Sequence, residues 1–265
     1  MTASAAEMPR RFPWAALVFA VAGFVALVSL GTWQLDRLAW KEALIASIDQ
    51  RIHSAPRDLA AIERQFADTS DVDYEPVTVS GTFDHGKERH FFATYEGQSG
   101  FFVYTPLMLA DDRAVLVNRG FVPYDRKDAA TRKEGQVAGV VGVTGLARNP
   151  LAEKPSLLVP DNEPDKNIFY WKDRDTMALS TGLDTGKLVP IFIDAGPAAN
   201  PGGLPVGGVT IIDLPNNHLQ YALTWYGLAA ALAAIFGTWL WRRLQISRTT
   251  PLAEMMLKVA RQWRI

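Results

Sequence analysis

The chain contains no cysteine. Disulfides are therefore excluded, and with them copper–thiolate sites, iron–sulfur clusters and thiol redox relays. Net charge is also nearly absent, at -1 at pH 7, which argues against a nucleic-acid partner. Several motifs are missing. There is no Gly-x-Ser-x-Gly, no His-Glu-x-x-His, no phosphate loop, and no Gly-x-Gly-x-x-Gly after a strand. The stretch GGLPVGG (Gly202 to Gly208) lacks the Lys-Ser/Thr and the following helix of a phosphate cradle, and reads as a mobile loop. These absences argue against an enzyme.

A more local absence sets the architecture. From Phe12 to Leu35 there is no Asp, Glu, Lys, Arg or His. From Leu214 to Trp241 the ionisable side chains are His218 and tyrosines. A helix needs roughly 20 apolar residues to cross a bilayer, and both runs are long enough. The alternative for the first run is a cleaved signal peptide, and Ala20-Val21-Ala22 fits a small-residue cleavage site. The apolar run continues past that point to Trp33, so an uncleaved anchor is expected. Arg10 and Arg11 precede the first span, and Arg242, Arg243, Arg248, Lys258, Arg261 and Arg264 follow the second. Basic flanks stay cytoplasmic. The expected organisation is a cytoplasmic tail over 1–11, a span over 12–35, a periplasmic domain over 36–217, a span over 218–241, and a cytoplasmic tail over 242–265. This places the chain in the inner membrane of a bacterium, with the lipid bilayer as a partner.

The external segment opens with helical periodicity in LDRLAWKEALIASIDQRI and a short helix in DLAAIERQF. The pattern then changes to strands. EPVTVSGTFD, ERHFFATYE, GFFVYTPLML and AVLVNRGFV are rich in Val, Phe, Tyr and Thr, with turns between them, as in an antiparallel meander. QVAGVVGVTGLA, LVPIFIDAG and GGVTIIDL read as further strands, NPLAEKPSLLVPDNEPDKN as a surface loop, and WKDRDTMALSTGL as a short helix ending at Gly182. The fold class that follows is a membrane protein. Two transmembrane helices flank an α+β external domain dominated by an antiparallel β-sheet or small barrel. His85 and His90 lie at a turn and the strand after it; a metal there lacks a third ligand of recognisable spacing.

His218 is one of only four histidines, and it stands at the mouth of the second apolar run. At about 100° per residue, His218, Ala222, Trp225, Ala229 and Phe236 share a helical face, bordered by Tyr221. On the first helix Ala22, Ala26, Ser29, Trp33, Arg37 and Trp40 line up similarly. Small residues let membrane helices approach closely. Packing on these two faces would leave an outer gap lined by Trp33, Arg37, Trp40, His218, Tyr221 and Trp225. Two readings fit. Trp, Tyr and Arg form belts at membrane interfaces. The same set also suits a haem: imidazole for iron, aromatic faces for the macrocycle, guanidinium for propionates.

The blocks LGTWQLDRLAWKEALI, YEPVTVSGTFDH, FVYTPL, VNRGFVP and LPNNHLQYALTWYGLA occur in this order. Together they closely resemble the surfeit locus protein one family, called Shy-type in yeast, over about Leu30 to Trp241. Phe121 departs from the family's usual Trp after Arg-Gly but keeps an aromatic. The resemblance implies a non-enzymatic assembly factor for cytochrome c oxidase. It implies that haem a is received from haem a synthase and passed to, or stabilised in, oxidase subunit I. It also maps the iron-ligating histidine onto His218, and the motif's aromatics onto Tyr221 and Trp225. The alternative within the family is a scaffold that stabilises subunit I without binding haem.

Overall fold

A computed structural model describes residues 14–210, 212 and 214–262, with side chains described as far as Gln245. The tail at 1–11 and the first residues of the expected span, 12 and 13, lie outside the described residues, as do 263–265. The chain forms two compact units. One contains the long helices up to Leu44 and from Pro215 onward; the other is Ile45–Leu214.

Helix α1 runs over Trp14–Ile52 and α4 over His218–Gln262. Neither stops at the end of its apolar run; in α1 the residues that follow, up to Ile52, are mostly good helix formers with no proline or glycine. Both are long and apolar enough to cross a membrane, and their most apolar windows are almost entirely exposed. The architecture is that of a membrane protein: two candidate spans flank a β-rich domain.

In the β-rich unit, a two-residue strand β1 (Arg57–Asp58) leads into α2 (Leu59–Thr69). Asp58 starts α2 because its carboxylate accepts from the Ala61 amide at 2.6 Å, and Ser70 ends it in the left-handed conformation. The other strands are β2 (Pro76–Phe83), β3 (Arg89–Tyr95), β4 (Gln98–Met108), β5 (Ala114–Pro123), β6 (Val140–Arg148) and β7 (Leu188–Ala195). Helix α3 (Arg174–Ser180) precedes β7. The sheet order is β1-β2-β6-β7-β5-β4-β3, and β2 also pairs with the end of β4. That last pairing, Thr82 with Met108 and Phe83 with Leu107, closes a five-stranded barrel.

Antiparallel pairs dominate, as the alternating patterns indicate. Among the barrel pairs the departure is β5 with β7, which run parallel. β5 is buried from Ala114 to Val122 on both faces, which explains why it reads as a nearly continuous apolar run. Alternate residues of the barrel strands, including Val77, Val79, Leu107, Val115, Val117, Ile191 and Ile193, form the interior core with Leu59 and Ile62 of α2. The outer face of β4, β5 and β7 is covered through Tyr104, Leu116, Met177 and Phe192. The expected strand in GGVTIIDL does not form among the described residues. Val206 makes a single bridge to Phe121, and Thr210 is tied by its side chain to Asp194 at 3.0 Å.

Asn118 and Arg119 are buried polar neighbours on β5. Strand alternation sends them to opposite faces. Arg119 follows Val115 and Val117 and meets Glu88, while Asn118 follows Leu116 and bonds Asp194 at 3.0 Å. The motif VNRG therefore serves two polar sites through adjacent residues.

Candidate functional site

The two long helices meet through a narrow set of contacts. Gly31 is buried, and a Cβ built there would come within 2.9 Å of the Tyr226 ring. The Thr32 hydroxyl lies 3.0 Å from the Tyr226 hydroxyl. Gln34, buried at 9 % exposure, receives a hydrogen bond from His218 Nδ1 at 2.7 Å. Ala222 and Ala229 are buried on the facing side of α4. Gln34 meets His218, Gly31 meets Tyr226 and Gly23 approaches Leu232, so contacts descend α1 as they ascend α4 and the helices pair antiparallel.

On α4 the expected face holds: His218, Trp225 and Phe236 are half-buried with Ala222 and Ala229. On α1 the packing face is different. Ala22, Ala26, Ser29, Trp33, Arg37 and Trp40 are all exposed. The buried stripe is displaced by about one residue and contains Gly31 and Gln34, a rotation of about 100°. The physical reason is that glycine admits the Tyr226 ring, whereas an alanine there cannot. The amide of Gln34 also needs a partner in an otherwise uncharged run.

Of the expected site residues, His218 and Trp225 thus lie toward α1, while Tyr221, Trp33, Arg37 and Trp40 face outward. The Arg37 guanidinium stands over the Trp40 ring, 5.1 Å from its centroid, a favourable cation–π arrangement one turn apart. Gln34 was not among the candidates. The signal for it was present: it is the one side-chain amide between Phe12 and Leu35.

The His218–Gln34 bond has a chemical consequence. With Nδ1–H donating to Gln34 Oε1, the imidazole is held in one tautomer and the lone pair of Nε2 is left for another partner. Histidines that ligate metals generally donate their second ring N–H in this way. These residues therefore fit a group with an iron seeking one nitrogen ligand.

The other histidine pair is different. His85 Nε2 is bonded to the Val137 carbonyl at 2.9 Å, and its Nδ1 lies 3.3 Å from Arg119. His90 is buried, and burial foremost lowers its pKa to about 4. Among the described residues no group of three metal-ligating side chains is assembled. The glycine-rich stretch is seated rather than detached, since Val206 exchanges hydrogen bonds of 2.9 and 2.8 Å with Phe121.

A model described as "SURF1 family" matches residues 21–230, which takes in the barrel unit, the Gln34 turn and the His218 turn. The chain belongs to the SURF1 family. Surfeit locus protein 1 of Rattus norvegicus is 40 % identical over 237 residues, covering 83 % of this chain and 72 % of the relative. The Homo sapiens protein of the same name is 37 % identical over 252 residues, covering 89 % and 79 %. A SURF1-like protein of Monosiga brevicollis is 38 % identical over 236 residues, covering 84 % and 85 %. In this SURF1-family chain, two candidate spans bracket the barrel domain in sequence.

Proposed function

We propose that this chain is a non-enzymatic cytochrome c oxidase assembly factor that holds haem a at His218 and assists its insertion into oxidase subunit I. Haem a synthase is the donor in this reading, and haem is cargo. The observation that carries it is the 2.7 Å bond from His218 Nδ1 to Gln34, which leaves Nε2 as the free ligand atom. Trp225 and Tyr221 supply aromatic surface on the same helix. Trp33 and Trp40 add aromatic surface on α1. Arg37 supplies a fork of donors for a propionate, in competition with its stacking on Trp40. When bound, haem offers an iron that accepts one imidazole nitrogen. The chain's own task is to orient that nitrogen and cover the macrocycle.

The test is haem content of the purified protein from a strain that makes haem a, read by its pyridine haemochrome spectrum. His218→Ala is expected to lose the haem while keeping normal protein levels. Gln34→Leu keeps the ligand but frees the ring, and its retention should fall about 10- to 100-fold, the usual effect of losing such a supporting bond. Full occupancy in His218→Ala refutes ligation.

A second reading, a scaffold that stabilises subunit I without haem, is favoured by the exposure of Trp33, Trp40 and Tyr221, which suits an interfacial belt. Absence of haem a from the parent protein selects it.

Both readings place the barrel domain in the bacterial periplasm, supported by the basic flanks of the two apolar runs. Alkaline phosphatase fused at Gly202 is expected to be active, and the same fusion after Arg243 inactive. The reverse pattern overturns the orientation.

A further inference from the structure

A cavity of about 340 Å³ opens on the outer face of the barrel, on the side to which Asn118 points. That volume is within the range of small-molecule sites. Tyr74, Phe91 and Phe102 give it aromatic walls, and Val209 adds apolar surface. Tyr104, Arg148, Lys172 and Asp194 supply its polar lining.

The polar groups fall into two sets. The acceptors are committed. Asp194 receives Asn118 Nδ2 on one oxygen and the Thr210 hydroxyl on the other, each at 3.0 Å. The donors are not. Tyr104 is fully buried, and among the described residues its hydroxyl has no hydrogen-bond partner. Arg148 Nε and Nη1 are buried and equally unmatched. Asp73 and Asp194 stand 3.5 and 3.8 Å from Arg148 Nε and balance the guanidinium charge, and the guanidinium lies over the Tyr74 ring, 4.0 Å from its centroid. Lys172 forms no ion pair among the described residues, and its ammonium lies 6.0 Å from the Phe192 ring centroid. Burial foremost lowers its pKa, a cost that a negative partner would offset.

Buried donors without acceptors are destabilising and rare in folded proteins. Here three such donor atoms, the Tyr104 hydroxyl and Arg148 Nε and Nη1, line one cavity with aromatic walls. A set of donors with no free acceptor selects an oxyanion, and the walls select what carries it. We propose that this cavity binds a carboxylate on an apolar stem, held by Tyr104, Arg148 and Lys172. The site lies wholly within the barrel unit and does not depend on the haem reading.

The test uses the full chain in detergent, titrated calorimetrically with sodium phenylacetate, sodium octanoate, phenylacetamide and sodium acetate. At least one of the first two should bind the parent. Tighter phenylacetate identifies a soluble aromatic acid as the natural class, and tighter octanoate an acyl chain. The neutral amide and acetate should each bind at least tenfold more weakly. Tyr104→Phe and Lys172→Met should each lose at least tenfold in affinity. Because Tyr104→Phe removes an unmatched buried donor, its thermal midpoint without ligand should stay the same or rise. No binding by the parent, equal binding of the amide or acetate, or parental affinity in Tyr104→Phe overturns the proposal. A lowered midpoint in Tyr104→Phe does so too, since it means the hydroxyl already has a partner. Should Lys172→Met fail to fold, Tyr104→Phe decides alone.

Discussion

Replacing Glu88 with glutamine is expected to cost about 3–5 kcal/mol, the usual loss when one partner of a buried ion pair is removed. Glu88 is 4 % exposed and serves two buried cations. Arg132 grips it with two bonds of 3.2 and 2.6 Å, and Arg119 stands 3.6 Å away. Gln136 adds a donor at 3.4 Å. Neither arginine can escape to water, since both are within 3 % of full burial. Burial, the largest influence, already lowers the Arg119 pKa to about 10, with the Glu88 carboxylate acting in the opposite direction. Neutralising Glu88 therefore strands both charges. Arg119 keeps bonds to the Gly135 carbonyl and Asn200, which soften but do not replace the loss. Denaturant unfolding of the full chain, followed by tryptophan fluorescence, measures the effect. The double variant Glu88→Leu/Arg132→Met should lose less than Glu88→Gln, because it removes a charge together with its partner. A Glu88→Gln protein within about 1 kcal/mol of the parent would contradict this account of the cluster.

The second large effect is expected at Gly120, one residue further along β5. Its φ is +125°, and a Cβ there would collide with the Val206 carbonyl and come within 2.8 Å of the Gly207 nitrogen. All of these are backbone atoms, which cannot rotate away as a side-chain end can. Gly120→Ala must therefore lift the 206–207 segment off the strand and break both Phe121–Val206 hydrogen bonds. Backbone strain and the broken bonds together should cost about 3 kcal/mol or more. Limited proteolysis gives an independent reading, with cleavage between Pro201 and Gly208 faster in the variant. Unchanged cleavage and unchanged stability would mean that the segment adapts without leaving the strand.

Much of this architecture was legible in the sequence, for reasons specific to each part. EPVTVSGTF alternates because β2 has one face in the barrel, and DLAAIERQF is a helix because Asp58 caps it. The β5–β7 pairing was not legible. Both strands are apolar on both faces, and no local pattern states which neighbour a doubly buried strand takes. GGVTIIDL reads as a strand from its β-branched residues, yet among the described residues it is tied to β7 by one backbone bond, Gly208 to Ala195, and by the Thr210 side chain, with no ladder. At the helix pair, the face of α4 was readable because its small and aromatic residues share one stripe. On α1 two stripes compete one position apart, Ala22-Ala26-Ser29 and the line through Gly31 and Gln34. The choice between them is made by Tyr226 and His218, which lie nearly two hundred residues away in the chain.

The parallel placement of β7 also governs when the domain can form. β7 is the last strand made, yet it sits between β6 and β5 in the ring. Until it is synthesised, β5 and β6 each present an unpaired edge, and the interior core lacks Ile191 and Ile193. Closure is therefore a late, long-range event of the kind that slows folding and leaves intermediates open to misassociation. A chain that ends anywhere before Leu188 has no closed barrel to fall back on. Until its final strand arrives, the nascent domain carries two open strand edges in place of a closed ring.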